Sequence, residues 1–339
     1  MRLFAATFCA LALLACSHPA GPAPDAGMED SGLPDAGPDD AGPPDAGPAD
    51  AGPSDAGPAD AGPSACVQWG QPRSVGVITD PALVELSGLA YSWANPHLLW
   101  AHNDSGDTAR FFGVSDDGGA VGIYDLDGAT ALDWEDIAVG PCDAGSCVFL
   151  GDIGDNNLVR PTHTVYAVPE PAAPLAGEHH LQTFDRYPFQ YPNGDKHNAE
   201  TLLVHPGSGT IYVVTKETPG VRSSVFRFPM PLQPGQLVTL EPVTMMKVPA
   251  TSDFQLTAGD IDRTGRRLLL RMYNRAVLLD LDAGAAFETI FDADPVQVPT
   301  ANEPQGEAIA WGPDSHAYFT SSETAGGPAV PLYEIDCMP

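Results

Sequence analysis

The chain is 339 residues long and carries 45 acidic against 15 basic side chains, a formal net charge of −30 at pH 7. A surface of that sign repels phosphate backbones and anionic headgroups, which excludes nucleic acid as a partner and argues against a peripheral lipid-binding face. Past the first fifteen residues no apolar run approaches the ~18 residues of a transmembrane helix.

The first element is an export signal over residues 1–15: Met1-Arg2, then an apolar run from Leu3 to Ala15 broken only by Thr7 and Cys9. A basic start and a short apolar stretch ending at small residues are cleaved on secretion and are too short to span a bilayer. Leu13-Leu14-Ala15-Cys16 is similar to the lipobox of bacterial lipoproteins. That resemblance implies an acylated Cys16 as the first mature residue and as the contact with the lipid membrane. Ser17, in place of Asp, implies sorting to the outer membrane of the cell envelope. The alternative is an ordinary cleaved signal with an incidental Cys16.

Residues 16–64 form the second element, in which Asp-Ala-Gly-Pro recurs every five residues from Asp35 to Pro63. Regular proline beside glycine defeats helix and sheet, so a disordered linker is expected. Ten carboxylates stiffen it by self-repulsion, and at ~3.1 Å per residue it reaches on the order of 150 Å. A period of five excludes collagen, which needs three.

The third element is one domain over residues 65–339, where 35 acidic and 14 basic side chains leave a charge of −21. Such acidic density attracts divalent cations. Four cysteines remain here, Cys66, Cys142, Cys147 and Cys337, and an exported chain favours their oxidation. Four cysteines allow three pairings. Sequence position points to Cys142 with Cys147 across a tight loop, and Cys66 with Cys337 joining the domain ends.

Within the domain, short apolar runs alternate with turn clusters. Leu98–Ala101, Val148–Gly151, Ile211–Thr215, Leu268–Met272 and Ala317–Thr320 are separated by Asp117-Gly118-Gly119, Pro206-Gly207-Ser208-Gly209 and Arg263-Thr264-Gly265. No stretch sustains a helical period, so the fold class is all-β. A motif recurs in it: Glu85-Leu86-Ser87-Gly88-Leu89-Ala90, Asp133-Trp134-Glu135-Asp136-Ile137-Ala138, Asn198-Ala199-Glu200-Thr201-Leu202-Leu203, Thr257-Ala258-Gly259-Asp260-Ile261 and Pro304-Gln305-Gly306-Glu307-Ala308-Ile309. Repeats of roughly fifty residues with about four strands each predict a β-propeller, five copies predict five blades, and each blade buries its faces only against its neighbours. The strand expected over residues 66–78 closes the ring beside Leu332–Ile335. A six-bladed ring with a degenerate blade between 170 and 197 is the alternative.

Inner strands line a propeller's channel, so aligned positions converge on its axis. Aligned on Ser87, Glu135, Glu200, Gly259 and Glu307, the repeats bring three glutamates together, which repel unless a cation lies between them. Hard Ca²⁺, with six to eight oxygen ligands, fits that donor set, Gly259 offering only a carbonyl. A water-filled acidic channel without metal is the alternative. The second strands end beside these positions with Asn103, Asp104, Asp155, Lys216 and Arg271. Asn103, Lys216 and Arg271 would hold a small anionic ligand near the ion, and Asp104 or Asp155 would act as general base.

The series Glu85-Leu86-Ser87-Gly88-Leu89, Asn103-Asp104, Asp133-Trp134-Glu135, Glu200, Lys216, Arg271 and Gly306-Glu307 resembles the soluble calcium-dependent nucleotidases (apyrases). The resemblance implies a five-bladed propeller around one Ca²⁺ held by a serine, three glutamates and a carbonyl, and hydrolysis of nucleoside diphosphates. It covers the five inner-strand motifs and little between them. It departs at Asn103-Asp104-Ser105, where that family has paired acids followed by arginine. A weaker likeness is to phytase-like and lactonase-like envelope propellers. Gly-x-Ser-x-Gly, His-Glu-x-x-His and glycine-rich phosphate-loop motifs are absent, which removes serine hydrolase, zincin and P-loop chemistry. The expectation is a monomeric envelope lipoprotein, either a calcium-dependent hydrolase of an anionic small molecule or a non-catalytic propeller that binds a surface protein or glycan.

Overall fold

One edge strand of each of five sheets is buried along most of its length and packs against the corresponding strands of two other sheets, which makes a ring. The computed structural model describes residues 66, 68–172, 176–247, 255–323 and 330–338. The export signal, Cys16 and the repeat linker lie outside the described residues.

The chain enters through β1 (Gln68–Trp69) and β2 (Arg73–Ile78). Blade 1 follows with β3 (Leu86–Tyr91), β4 (Leu98–Asn103), β5 (Arg110–Ser115) and β6 (Ala120–Leu126). Blade 2 has β7 (Trp134–Cys142), β8 (Gly145–Asp152) and β9 (His163–Pro169), then β10 (Gly177–Leu181) leaves for blade 1 before β11 (Asp185–Gln190) returns. Blade 3 contains β12 (Ala199–Val204), β13 (Ile211–Thr215), β14 (Ser224–Arg227) and β16 (Glu241–Met245), after β15 (Val238–Thr239) has paired with β11. Blade 4 runs β17 (Leu256–Ile261), β18 (Arg267–Met272), β19 (Arg275–Asp280) and β20 (Val296–Val298). Blade 5 is β21 (Gln305–Trp311), β22 (Ala317–Glu323) and β23 (Val330–Met338), completed on its outer edge by β1 and β2. The expected five-bladed β-propeller is the observed one.

The inner strands β3, β7, β12, β17 and β21 pack in sequence, and β21 meets β3 to close the circle. Residues 170–197, the place of a sixth blade, instead supply β10 and β11. β10 adds in parallel to β6 as a fifth strand of blade 1 and covers an edge that would otherwise expose unpaired amides. The β-branched and aromatic residues of the second and third strands fill the gaps between blades. Trp100, Phe111 and Tyr124 stack within blade 1 against Trp134 and Ile137 of blade 2, for example.

Closure follows the expected route: β1 and β2 both pair antiparallel to β23. The Cys66–Cys337 disulfide, with Cα atoms 5.5 Å apart, ties the two ends of the domain. Cys142–Cys147 spans the β7–β8 hairpin.

One irregularity is repeated in every blade. The register of each inner strand against its partner shifts by one residue between Leu86 and Gly88, Trp134 and Asp136, Ala199 and Thr201, Leu256 and Ala258, and Gly306 and Ala308. Each shift is a β-bulge, whose extra residue is unpaired in the ladder and has its side chain re-aimed. The five bulged residues are Ser87, Glu135, Glu200, Thr257 and Glu307.

Candidate functional site

The bulges all lie at the same end of their strands, so the ring brings their side chains to one mouth of the channel. Ser87, Glu135, Glu200, Thr257 and Glu307 are each at most 6% exposed. The two hydroxyls do equivalent things in different blades. Ser87 Oγ donates to the Glu135 carbonyl at 2.7 Å, and Thr257 Oγ1 donates to the Gly306 carbonyl at 3.0 Å, each reaching into the next blade. Gly259, aligned with this ring from sequence, lies two residues further along β17, and its amide donates to Asp136 at 3.3 Å. A slide of two residues preserves which face of a strand a side chain occupies, so alternation by itself does not separate Thr257 from Gly259.

The carboxylates crowd. One oxygen from each of Asp104, Asp133 and Glu135 lies within 4.8 Å of the others. Asp104 comes from the end of β4, and Asp133 precedes β7, two residues before Glu135. Gly154 walls the cluster: a Cβ there would collide with Glu135 Oε1 and Asp133 Oδ2. Across the mouth, Lys216 Nζ donates to Glu200 Oε2 at 2.5 Å and to the Tyr273 hydroxyl at 2.6 Å. Gln305 Nε2 donates to Glu307 Oε1 at 2.7 Å and also to Glu323. Glu307 Oε2 is buried without a hydrogen-bond partner.

The protonation equilibria follow from this crowding. Burial, then the neighbouring Glu200, Asp104 and Asp133, hold the Glu135 carboxyl well above its ordinary value. Burial pushes Glu200 up to about 7 against the opposing pull of Lys216. Glu307 is pushed up to about 8 by burial, with Glu323, Glu200 and Asp104 adding repulsion and Gln305 opposing. Burial raises Asp104 and Asp133 as well. Lys216 loses solvation on burial, but Glu200 and Tyr273 outweigh that loss and keep it above its usual range. The site is therefore a set of oxygen donors whose charged forms are disfavoured by burial and then by one another, the state that a cation relieves.

The outer residues separate into two groups. Asp104 and Lys216 face the mouth. Asn103 does not act there, because all its polar capacity is used within the fold: Oδ1 accepts the Val84 and Glu85 amides, while Nδ2 donates to the Ala82 carbonyl and to Asp107. Asp155 is similarly committed, its two oxygens capping the Val159 and Arg160 amides at 2.9 and 2.8 Å. Arg271 is fully buried in an ion pair with Glu303, packed where Gly306 leaves room for its guanidinium. The structure thus does not bring these three together with Asp104 and Lys216: Asn103 and Asp155 are engaged by groups of the fold, and Arg271 by Glu303, with its Nε and Nη1 buried without hydrogen-bond partners.

Asp133, Gly154 and Thr257 belong to the site and were not assigned to it from sequence. Asp133 had a signal, since it has the strand parity of Glu135 in the Asp-Trp-Glu motif. Gly154 had none, because only the folded β8–β9 connection brings it against the acids.

A cavity of about 600 Å³ lies elsewhere, lined by the Cys142–Cys147 hairpin, Phe149, Tyr187 and the residues around Met230. It is at the opposite end of β7 from Glu135.

No protein-family model and no curated protein matches the chain. Among solved structures, it is similar to the PQQ-bound aldose sugar dehydrogenase of Streptomyces coelicolor, with 11% identity over 78% of this chain and 97% of that one at a TM-score of 0.40. It is also similar to an auxiliary nutrient binding protein of Bacteroides thetaiotaomicron, with 9% identity over 75% and 70% of the two chains and a TM-score of 0.43. A putative 6-phosphogluconolactonase of Bacteroides uniformis matches at 12% identity over 72% and 65%, with a TM-score of 0.35.

Proposed function

We propose that the chain is a cell-envelope lipoprotein, held by an acylated Cys16, whose propeller binds Ca²⁺ at the acidic mouth and hydrolyses a phosphorylated or otherwise anionic small molecule. The observation that carries the reading is the convergence of Asp104, Asp133 and Glu135 on one point beside Glu200 and the unpartnered Glu307 Oε2. Donors that are all oxygen, several of them carboxylate, suit a hard ion of six to eight ligands.

Glu135 and Asp133 would hold the ion, with Glu307 and Glu200 completing its oxygen shell. When bound, the ion would supply positive charge that polarises a phosphoryl or carboxyl oxygen. Lys216, the basic side chain already at the mouth, orients the anionic group. Asp104 is half-buried with a raised carboxyl pKa, which brings it closer to neutral pH and suits it to accept a proton from water. The nucleotidase resemblance supports the same arrangement through Ser87, Glu135, Glu200 and Glu307.

The second reading, a non-catalytic propeller that docks a protein or glycan, rests on two observations. Asn103 and Asp155 are already engaged by hydrogen bonds and Arg271 by its ion pair with Glu303, and Leu132, Leu158 and Val159 stand 65%, 51% and 69% exposed in the connections beside Asp133 and Asp155. Apolar residues grouped beside a polar centre favour a partner surface.

Turnover of nucleotides, phytate and lactones, with calcium or chelator, separates the two readings. Chelator-sensitive hydrolysis of one class is expected. Hydrolysis of none would sink the enzyme reading and leave docking. Calcium binding by calorimetry should weaken at least about a hundredfold in Glu135→Gln with Glu200→Gln, since two charged ligands are lost; unchanged affinity would remove the ion from the mouth.

A further inference from the structure

The 600 Å³ cavity at the far end of the propeller is a concave space between blades 2 and 3, bounded by the β7–β8 hairpin, the β9–β11 connection and the loop after β14. Its size falls in the range of small-molecule sites. Its floor is preformed. Phe149 is 1% exposed, Tyr187 is 8% exposed, and the Cys142–Cys147 disulfide fixes the hairpin that forms one wall. Met230, 52% exposed, stands at the opposite edge, an adaptable thioether facing rigid aromatic and proline surfaces.

The charges at this cavity are of one sign. Asp143, at the hairpin tip, and Asp185, at the start of β11, both line it, and no Lys, Arg or His lies among its described lining residues. Neither carboxylate is in an ion pair among the described residues. Asp185 accepts the Tyr187 hydroxyl at 3.3 Å. Burial, then Asp185 and Asp143, push the Tyr187 hydroxyl up to about 12, and both carboxylates line the same cavity as that phenol. Arg186, adjacent in sequence, pairs instead with the Gly128 carbonyl at 2.9 Å and lies 4.4 Å over the Phe184 ring. That contact shows one aromatic of this wall already accepting a cation.

We infer that the cavity is a second binding site, separate from the acidic mouth, that takes an organic cation with an apolar body, of the alkyl- or aryl-ammonium class. The apolar body would displace water from Phe149, Tyr187 and Met230. The cationic head would sit between Asp143 and Asp185 against an aromatic ring face, where both Coulomb attraction and the ring quadrupole favour it. An anion is repelled by both carboxylates. A neutral molecule of equal shape gains the apolar contacts alone.

Titration of the protein with benzyltrimethylammonium, followed by NMR line broadening in about 0.15 M salt, tests the site, because that ionic strength suppresses non-specific attraction to the acidic surface. Saturable binding is expected, with the neutral isostere 2,2-dimethyl-1-phenylpropane at least about tenfold weaker in matched co-solvent. Asp143→Asn with Asp185→Asn, two exposed positions whose exchange leaves the fold intact, should weaken the cation at least about tenfold. The remote pair Asp282→Asn and Asp292→Asn should leave its affinity unchanged, as should Glu135→Gln at the mouth. Equal affinity for the neutral isostere, undiminished binding in the Asp143/Asp185 variant, equal loss in the remote pair, or no saturable binding would each overturn the inference.

Discussion

A single methyl group tests the mouth at the residue scale. Gly154 is held where a Cβ would occupy the space between Glu135 and Asp133, and its amide donates to the Asp133 carbonyl at 3.1 Å. Gly154→Ala therefore presses on the acid cluster without removing a carboxylate. Calcium affinity is expected to fall by more than about tenfold, because a ligand shift of a few tenths of an ångström is enough to spoil a shell at 2.3–2.6 Å. Isothermal calorimetry beside a thermal melt reads this, and wild-type affinity in a folded Gly154→Ala would move the ion site away from Asp133 and Glu135. The residue scale is also where sequence reading was least secure. Asn103, Asp155 and Arg271 look like reactive polar ends, yet four hydrogen bonds engage the first, two amide caps the second, and a buried ion pair holds the third away from the mouth.

At the scale of the elements, the channel is tied by a second acid below the mouth. Asp136 is fully buried, and its oxygens accept the Ile137 and Leu202 amides at 2.9 Å and the Gly259 amide at 3.3 Å. One carboxyl thus joins β7, β12 and β17, strands of three different blades. Gly259 sits close to its surroundings, since a Cβ would lie 3.0 Å from the Leu269 carbonyl oxygen and from Thr201 Cγ2. Asp136→Leu would leave two buried amides of other blades unpaired, at a cost of about 2–5 kcal/mol. Asp136→Asn keeps an acceptor and should lose less. Urea midpoints at constant m-value check the order Asp136, Asn, Leu, and a Leu variant as stable as wild type would show that the blades do not depend on this tie. The same strand shows why repeat alignment slipped there: Thr257 lacks the acid that marks three of the other bulges.

For the whole molecule, closure is the organising event. A ring whose first and last strands share blade 5 opens at that seam, and the Cys66–Cys337 bond spans it across 271 residues of sequence. In the chain-entropy account a loop of that length contributes about 6 kcal/mol, whereas the five-residue separation of Cys142–Cys147 contributes about 2 kcal/mol. Cys66→Ser with Cys337→Ser is therefore expected to lower unfolding free energy by more than Cys142→Ser with Cys147→Ser, measured by denaturant unfolding of each pair. A reversed order would mean that β1 and β2 hold the seam without covalent help and that the hairpin bond matters more.

The sequence by itself determined the five repeats and the all-β class, and it pointed to the closing strand and to the two disulfide pairings among the three that four cysteines allow. These depend on patterns carried in order along the chain: apolar alternation, turn residues at intervals, and cysteines at a hairpin and at the two domain ends. Glu135, Glu200 and Glu307 were legible for the same reason, since each repeats at one place in its motif. What only the tertiary structure decided is which polar atoms remain free and which meet. Asp133 and Gly154 come from separate connections and become neighbours of Glu135 and Asp104 only when the strands pack. The freedom of a polar side chain depends on amides and counter-charges far away in sequence, which no local pattern records.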